Sequence, residues 1–253
     1  MERLELTIFK LSIHRLKNFY PLWKKLEQIL KLKNKIKLLI ACDGGAASGK
    51  TTAAKLISKK YKLHFLSSGL LYRYIGHKLL SKKKISNKNI YIKKITKNIT
   101  PKKLKNKKLF NQRVTLFAAK IAKSKKIRML LKKYQKNFAK KNHVCIEGRD
   151  IASVICPNAD VKLFFKCNLE VRAKRRWNEY KKNNSKITLE EVKKALKIRD
   201  YSDINRKHSP LRVSKDSIVI DTSKLGKKQM LRKISKIVES KLLLKYGRNI
   251  KAR

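Results

Sequence analysis

The sequence predicts an α/β protein with a doubly wound, parallel five-stranded sheet, and three observations support this prediction. First, five short runs rich in aliphatic and aromatic residues recur along the chain: IKLLIACD, KLHFLSS, HVCIEG, VKLFFKC and SIVIDTS. Second, these runs lack the alternation of a half-exposed strand, which indicates strands buried on both faces. Third, lysine-rich segments suited to helices separate the runs, so helices are expected to cover the sheet.

Residues 1–35 precede the first predicted strand and form a basic N-terminal extension. After Pro21, apolar residues recur at helical spacing, so a helix is expected to begin there. Glu2, Glu5 and Glu27 argue against a transit peptide, and the apolar stretches are too broken for a secretory signal. An accessory helix and an upstream start codon are the interpretations that fit. The remainder, residues 36–253, is long enough to bury one sizeable core.

The chain is strongly basic, with 69 Lys and Arg against 16 Asp and Glu and a formal net charge of +53. Such a charge favours nucleic-acid binding, but lysines spread over the whole chain among many Ile and Asn residues are also what AT-rich codons would produce. The segment 82–111 is rich in Lys, Ile and Asn and offers only Tyr91 and Phe110 for stacking on bases. A solvated, partly ordered insertion is therefore favoured over a nucleic-acid patch.

No uninterrupted apolar run approaches the ~20 residues of a membrane span. We therefore expect a cytoplasmic protein without membrane contact. The four cysteines, at positions 42, 145, 156 and 167, show neither a CxxC pair nor histidines at metal-ligand spacing. They are predicted to be small, reduced, buried thiols.

The segment CDGGAASGKTT, residues 42–52, has the pattern G-x-x-x-x-G-K-[ST]. An apolar strand precedes it and a helix-forming run follows it, which is the context that this pattern requires. The glycines let backbone N–H groups face phosphate oxygens, the helix N-terminus adds its positive end, and Lys50 reaches the β- and γ-phosphates. Nucleotide contacts are predicted for the whole loop: Gly44, Gly45, Ala46, Ala47, Ser48, Gly49, Lys50, Thr51 and Thr52.

Polar residues after two other strands predict an acceptor site at the carboxyl edge of the sheet, where ligands bind in open α/β folds. After the second strand, Ser68 is suited to cap a helix, and Tyr72 and Arg73 follow one turn later. After the third strand, Arg149 and Asp150 place a guanidinium donor beside a carboxylate. That pair suits a ligand with both a phosphate and an amino-substituted ring.

Two predicted helices concentrate charged side chains on one face. These side chains are Arg172, Arg175 and Arg176 on the first helix, and Arg199, Asp203 and Arg206 on the second. Arginine makes bidentate phosphate contacts that lysine cannot make. In a chain that uses lysine so freely, arginine at these positions indicates selection for phosphate binding.

Together these features resemble the bacterial cytidylate kinases of the nucleoside monophosphate kinase family, from about Ile36 to the end of the chain. The most specific matches are EGRDIASVICPNADVKLFF, LEVRAKRRW and RDYSDINRKHSPL. The resemblance implies transfer of the γ-phosphate of ATP to CMP or dCMP, with Mg²⁺ as the metal, by a monomer. It also implies a kinase domain over 36–253, with an acceptor-binding insertion at 82–127 and a lid at about 170–212.

The resemblance also implies roles for individual residues. Those implied to line the CMP site are Ser68, Tyr72, Arg73, Arg128, Arg149, Asp150, Arg199, Asp203 and Arg206. Those implied to stabilise the transferring phosphates are Lys50, Arg172, Arg175 and Arg176. Thr51 or Thr52 is implied to face Mg²⁺. Arg128 and Asp150 are implied to select cytosine, because a carboxylate accepts from the exocyclic amine that uracil lacks.

Several positions depart from the family pattern. The loop reads Gly-Lys-Thr-Thr where the family usually reads Gly-Lys-Gly-Thr. Ser67, Ala119 and Phe110 stand where the family usually has an aspartate, a base-contacting serine and an arginine. The insertion is shortened and filled with lysine. These departures bear on base selectivity and affinity more than on phosphoryl transfer.

Two alternatives therefore stay open at the level of the sequence. One is a nucleoside monophosphate kinase with relaxed base choice that also accepts UMP. The other is a basic nucleic-acid-binding protein that retains a P-loop fold, with non-specific binding driven by charge. The phosphate-directed arginines argue against this second alternative, because a binding scaffold has no reason to keep them.

Overall fold

A computed structural model of the chain describes residues 38–82, 84–141, 143–181 and 187–246. The N-terminal extension, residues 1–35, lies outside the described residues. The sheet has five strands: β1 (Leu39–Gly44), β2 (His64–Ser67), β3 (Val144–Gly148), β4 (Val161–Lys166) and β5 (Ile218–Asp221). Their order is β2-β3-β1-β4-β5, and every pairing is parallel. The predicted doubly wound, parallel five-stranded sheet is confirmed.

Helices connect the strands and cover the sheet. In chain order they are α1 (Lys50–Lys60), α2 (Ser68–Leu80), α3 (Lys88–Lys97), α4 (Pro101–Leu104), α5 (Gln112–Ile121), α6 (Lys125–Ala139), α7 (Leu169–Lys181), α8 (Leu189–Asn205) and α9 (Lys227–Tyr246). A 3₁₀ turn spans Lys107–Phe110, and a π-helical turn spans Ile151–Ile155. None of the helices in the described ranges is both long and apolar enough to cross a membrane.

By backbone contacts the chain divides into two units. One comprises residues 37–241 and contains the whole sheet. The other comprises residues 1–36 and 242–253, of which only the last residues of α9 are described. In the first unit, β1 is the central strand and is fully buried from Ile40 to Cys42. Because β1 has neighbours on both sides, the loop that follows it lies at the centre of the carboxyl edge.

The lysine-rich segment 82–111 is more structured than its composition indicates. Asn87, Thr100 and Asn106 each begin a helical segment, and each side chain accepts a hydrogen bond from a backbone N–H of the first turn. Several isoleucines and leucines of the segment, such as Ile95 and Leu109, are buried in the main core. The segment therefore caps its own helices with Asn and Thr and packs onto the core with Ile and Leu, while its lysines in the described ranges stay exposed.

All four cysteines are free thiols, and Cys42, Cys145 and Cys156 are buried as predicted. Cys167 is only partly buried. The Sγ atoms of Cys42 and Cys145 lie 3.9 Å apart on neighbouring strands. Burial and the contact with Cys145 raise the pKa of the Cys42 thiol well above its usual range, so this pair behaves as apolar core.

The fold requires glycine at position 44, because there is no room for a side chain there. Its φ is +152°, and a Cβ atom there would lie 2.5 Å from the backbone oxygen of Phe165 on β4. We expect Gly44→Ala to lower the free energy of unfolding by about 1–3 kcal/mol, measured by urea denaturation. Gly69→Ala is the matched control, because the nearest atom to its new Cβ is 3.8 Å away and alanine favours the helix. Equal stability of the two variants would contradict this account.

Candidate active site

The loop between β1 and α1 forms the floor of the candidate site. Gly49 precedes α1 in a left-handed conformation, with φ +82°, and Ala47 is also left-handed, with φ +56°. Thr222, at the end of β5, is buried and donates its hydroxyl hydrogen to the Ser48 oxygen at 2.8 Å. The loop is thus held from the β5 side, with the N-terminus of α1 facing the cleft. This geometry suits a phosphate chain.

Lys50 is the first residue of α1 and is buried. Its Nζ donates to the Gly45 oxygen at 3.0 Å and lies 3.9 Å from Glu147 Oε2. Burial, together with the nearby positive charge of Arg149, lowers the pKa of Lys50 to about 7, although Glu147 opposes this shift. The ammonium is therefore poorly neutralised by the protein itself, and an incoming polyphosphate would stabilise its charged form.

Glu147 is a functional candidate that the sequence reasoning missed. It is buried at the end of β3 and accepts a hydrogen bond from the Ser67 hydroxyl. The sequence contained a usable signal, because a carboxylate at the end of a strand adjacent to β1 must lie beside the phosphate-binding loop.

The prediction that Ser68 caps the helix after the second strand is corrected by the structure. Ser67 is the residue before α2, and Ser68 is the first residue of the helix. The Ser67 side chain makes no capping hydrogen bond.

Asp43 fixes the corner that follows β3. Both of its carboxylate oxygens accept backbone hydrogen bonds, from Ile151 at 2.9 Å and Ala152 at 2.7 Å. Burial raises the pKa of Asp43 to about 7, although these two hydrogen bonds act in the opposite direction. The corner carries Arg149 and Asp150, so the end of β1 positions the phosphate-binding loop and the arginine-carboxylate pair together.

Arg149 and Asp150 point to different partners. Arg149 Nε donates to Asp203 Oδ2 at 2.9 Å, and Arg199 Nε lies 3.8 Å from the same oxygen. Burial alone would raise the pKa of Asp203, but the two arginines outweigh it and hold that pKa below its usual value. Burial and Arg149 lower the pKa of Arg199 to about 10. The Oδ2 atom of Asp203 thus interacts with two guanidinium groups.

Asp150 forms a buried ion pair with Arg128. Arg206 lies between the two carboxylates, at 4.0 Å from Asp150 Oδ1 and 3.4 Å from Asp203 Oδ1. The sequence placed Arg206 on the face of a continuous helix, but α8 ends at Asn205 and Arg206 has extended backbone angles. Its Nε donates instead to the Ser209 oxygen at 2.6 Å.

The three arginines of α7 have separate environments. Arg172 donates to the Ala46 oxygen of the loop at 3.3 Å and to Asp200 of α8 at 2.6 Å. Arg175 donates to the Thr222 oxygen at 2.7 Å. Arg176 donates to Glu179, and its guanidinium lies 4.7 Å from the centre of the Tyr180 ring. Arg172 therefore ties the phosphate-binding loop to α8, whereas Arg175 and Arg176 line the cleft.

A cleft of about 900 Å³ brings most of the predicted site together. The predicted residues that line it are Ala46, Ala47, Ser48, Gly49, Lys50, Thr51, Thr52, Arg73, Arg149, Arg175, Arg176, Arg199 and Asp203. The helix α5 contributes Thr115 and Ala119 to its wall. The cleft has the phosphate-binding loop at one side and the Arg149–Asp203 pair at the other.

Other predicted residues lie outside the lining of this cleft. Tyr72, Arg128 and Asp150 line a smaller cavity of about 140 Å³, and burial raises the pKa of Tyr72 to about 12. The remaining predicted residues, Gly44, Gly45, Ser68, Arg172 and Arg206, line neither cavity. Within the described ranges no group of three His, Cys, Asp or Glu side chains could hold a metal ion by itself.

The parallel sheet, the loop at the end of its central strand and the arginine-lined cleft define a P-loop phosphotransferase. The profile of the family described as cytidylate kinase matches residues 40–240. The chain belongs to the cytidylate kinase family.

Individual relatives agree with this assignment. The chain is 37% identical over 213 residues to a protein named cytidylate kinase from Thermosipho melanesiensis, covering 81% of this chain and 98% of that protein. It is 40% identical over 193 residues to a cytidylate kinase from Bartonella henselae, covering 74% and 88%. A crystal structure of an uncharacterised protein from Eubacterium ventriosum shares the fold with a TM-score of 0.50 at 15% identity, covering 81% of this chain and 99% of that one.

The lowered pKa of Lys50 predicts proton uptake when a nucleoside triphosphate binds. At pH 8 the free side chain is mostly neutral, and the bound phosphates favour its charged form, so binding of ATP should take up about one proton per site. At pH 6 the side chain is already charged and the uptake should be close to zero. Calorimetry in two buffers with different ionisation enthalpies measures this number. Uptake at pH 8 should vanish in Lys50→Ala, and a wild-type protein without uptake would contradict the burial of Lys50.

Proposed function

We propose that this protein transfers the γ-phosphate of ATP to CMP or dCMP, giving CDP or dCDP. The observation that carries the proposal is the single cleft that joins the phosphate-binding loop and Lys50 to Arg73, Arg149 and Asp203. Two phosphate-binding regions in one cleft are what a reaction between two nucleotides requires. Membership of the cytidylate kinase family supports CMP as the acceptor and favours an enzyme over the nucleic-acid-binding alternative.

The site can perform this reaction without a general base. A phosphate oxygen of CMP is already ionised at neutral pH, so the protein has only to align two polyanions and offset their repulsion. Lys50 and the loop amides would hold the donor phosphates, and Arg149 and Arg199 would hold the acceptor phosphate. Arg175 and Arg176 would stabilise the negative charge between them. Closure of the cleft would exclude water, which would otherwise accept the γ-phosphate.

Mg²⁺ is part of the proposal as the metal that accompanies ATP. Such sites often use one or two protein oxygens, together with phosphate oxygens and water. Thr51 and Thr52 line the cleft at the start of α1, and the Glu147 carboxylate lies 3.9 Å from Lys50. These oxygen donors fit Mg²⁺, which would neutralise phosphate charge when bound.

The division of the chain follows from the same proposal. Residues 36–253 would form the kinase domain, with the acceptor-binding insertion at 82–127 and the lid at about 170–212. The lid would carry α7 and α8, which pack on each other through Ala173, Val192 and Leu196. We also propose a monomer that acts in the cytoplasm on small nucleotides.

Selection of cytosine is proposed to rest on Asp150 and Arg128, as the family resemblance implies. These residues pair with each other, so a base that reaches Asp150 must compete with Arg128. Ala119 lines the cleft where the family usually has a serine, which removes one hydrogen-bonding group. Relaxed acceptance of UMP is the outcome that this loss permits.

A coupled assay of ATP turnover with CMP, dCMP, UMP and AMP tests the proposed function. We expect CMP and dCMP to give the highest kcat/KM. Lys50→Ala should lower kcat at least about a hundredfold, because the transferring phosphates lose a buried positive charge. UMP turnover equal to that of CMP would indicate a nucleoside monophosphate kinase with relaxed base choice instead of one selective for CMP.

The control for this assay is Lys55→Ala, a change at an exposed lysine of the same helix α1. It should leave kcat unchanged. A folded protein that turns over ATP with none of the four monophosphates would refute the kinase assignment.

The assignment of Mg²⁺ to Thr51 can be tested by a matched pair of variants. The pattern that contains the loop places the hydroxyl after the lysine on the metal, so Thr51→Ala should raise the Mg²⁺ concentration for half-maximal activity at least about tenfold. Thr52→Ala should change that concentration by less than about twofold. Thr51→Ser, which keeps the hydroxyl, should behave as wild type, and the reverse ranking of the two alanine variants would assign the metal to Thr52.

A further inference from the structure

Arg73 differs from the other arginines that line the cleft. Arg149, Arg175, Arg176 and Arg199 each contact a carboxylate or a threonine. Within the described parts of the chain, the guanidinium of Arg73 makes no hydrogen bond and no ion pair. The guanidinium lies over the ring of Phe110, whose centre is 5.5 Å from Cζ.

Arg73 also lies near another positive charge, the guanidinium of Arg176. It sits on α2 and is half-buried. Burial and the nearby Arg176 lower its pKa to about 10, so it stays charged at neutral pH. A charged guanidinium without a carboxylate partner is the group in the cleft that is most available to a new anion.

Phe110 is held in place although its ring is exposed. It ends the 3₁₀ turn Lys107–Phe110, directly after the fully buried Leu109. Asn111 follows it and caps α5 through its side chain. The residues on either side are thus anchored, while the Phe110 side chain itself is 53% exposed and contributes little to the core.

The ring supports the guanidinium from outside the cleft. Arg73 lines the cleft, whereas Phe110 is absent from the described residues that line it. A cation near an aromatic face is attracted to the ring without using its N–H groups. Toward the described residues, all the hydrogen-bond donors of Arg73 therefore remain free, in contrast to those arginines that must first release a carboxylate.

We propose that Phe110 is a positioning residue that holds Arg73 ready for the phosphate of the acceptor nucleotide. The inference rests on the proposed function, because it takes a nucleoside monophosphate as the ligand of this side of the cleft. Phe110 acts only through Arg73 and makes no contact with the donor side. Its loss should weaken acceptor binding and leave the chemical step intact.

Phe110→Leu is the test, because leucine keeps the apolar volume and removes the ring face. We expect KM for CMP to rise about two- to fivefold, the size of an exposed cation–π contact. The value of kcat and KM for ATP should be unchanged. Phe110→Trp, which offers a better ring face, should have the wild-type KM for CMP or a lower one. The matched control is Ile90→Ala, another exposed apolar residue of the same insertion, with no change in any of the three constants.

A double-mutant cycle separates action through Arg73 from a general effect on structure. In an Arg73→Gln background there is no cation for the ring to hold, so adding Phe110→Leu should have no further effect on the affinity for CMP. Equilibrium binding of CMP measures all four proteins, and thermal unfolding checks that they fold. Additive losses in the cycle, or a Phe110→Leu variant with wild-type affinity, would overturn the inference.

Failure of this inference can be told apart from failure of the proposed function. If wild type turns over CMP and Phe110→Leu has the same KM, only the role of Phe110 is wrong. If wild type neither turns over nor binds CMP, the proposed function itself is wrong. A Phe110→Leu variant that loses kcat as well as affinity would assign the residue a structural role and would also overturn the inference.

Discussion

The structure depends on how a very basic chain places its few carboxylates around one cleft. Asp203 forms ion pairs with Arg149 and Arg199, Asp150 pairs with Arg128, and Asp200 pairs with Arg172. Removing a partner from a buried pair is costly, because it leaves an uncompensated charge. The carboxylates therefore hold the arginines of the site in place. A bound nucleotide brings phosphates that can take over this role, so ligand binding exchanges one set of anions for another.

The distribution of acidic residues along the chain joins the two halves of the fold. From residue 44 to residue 146 the sequence contains neither Asp nor Glu. Lys50, Lys60 and Arg128 of this acid-free half pair with Glu147, Glu239 and Asp150 of the other half. Because a parallel sheet brings the carboxyl ends of distant strands to one edge, Glu147 and Asp150 come within reach of Lys50 and Arg128, whereas Lys60 and Glu239 pair between two helices. The loop after β1 and the arginine-carboxylate pair after β3 are thereby linked through the ends of these two strands.

The sequence was sufficient for the fold and for the types of residue in the site, but it did not reveal their partners. Buried apolar runs located all five strands, since a parallel strand covered on both faces has no polar side. The three arginines of α7 were expected to act together on the transferring phosphates. Arg172 instead donates to Asp200, and Arg175 donates to the backbone oxygen of Thr222, which follows β5. Such pairings depend on contacts between distant segments, which helical spacing does not encode. The end of α8 at Asn205 escaped prediction for the same reason.

The contrast between lysine and arginine separates composition from function. The exposed faces of α3 and α6 carry lysine, whose single ammonium interacts with solvent and makes no demand on geometry. The cleft has lysines as well, such as Lys50, but it also carries arginines, each oriented by a carboxylate, a threonine or an aromatic ring. Orientation before binding reduces the entropy that a ligand must remove when it immobilises a side chain. A genome that enriches lysine can therefore raise the net charge of the surface while the geometry of the cleft stays under separate selection.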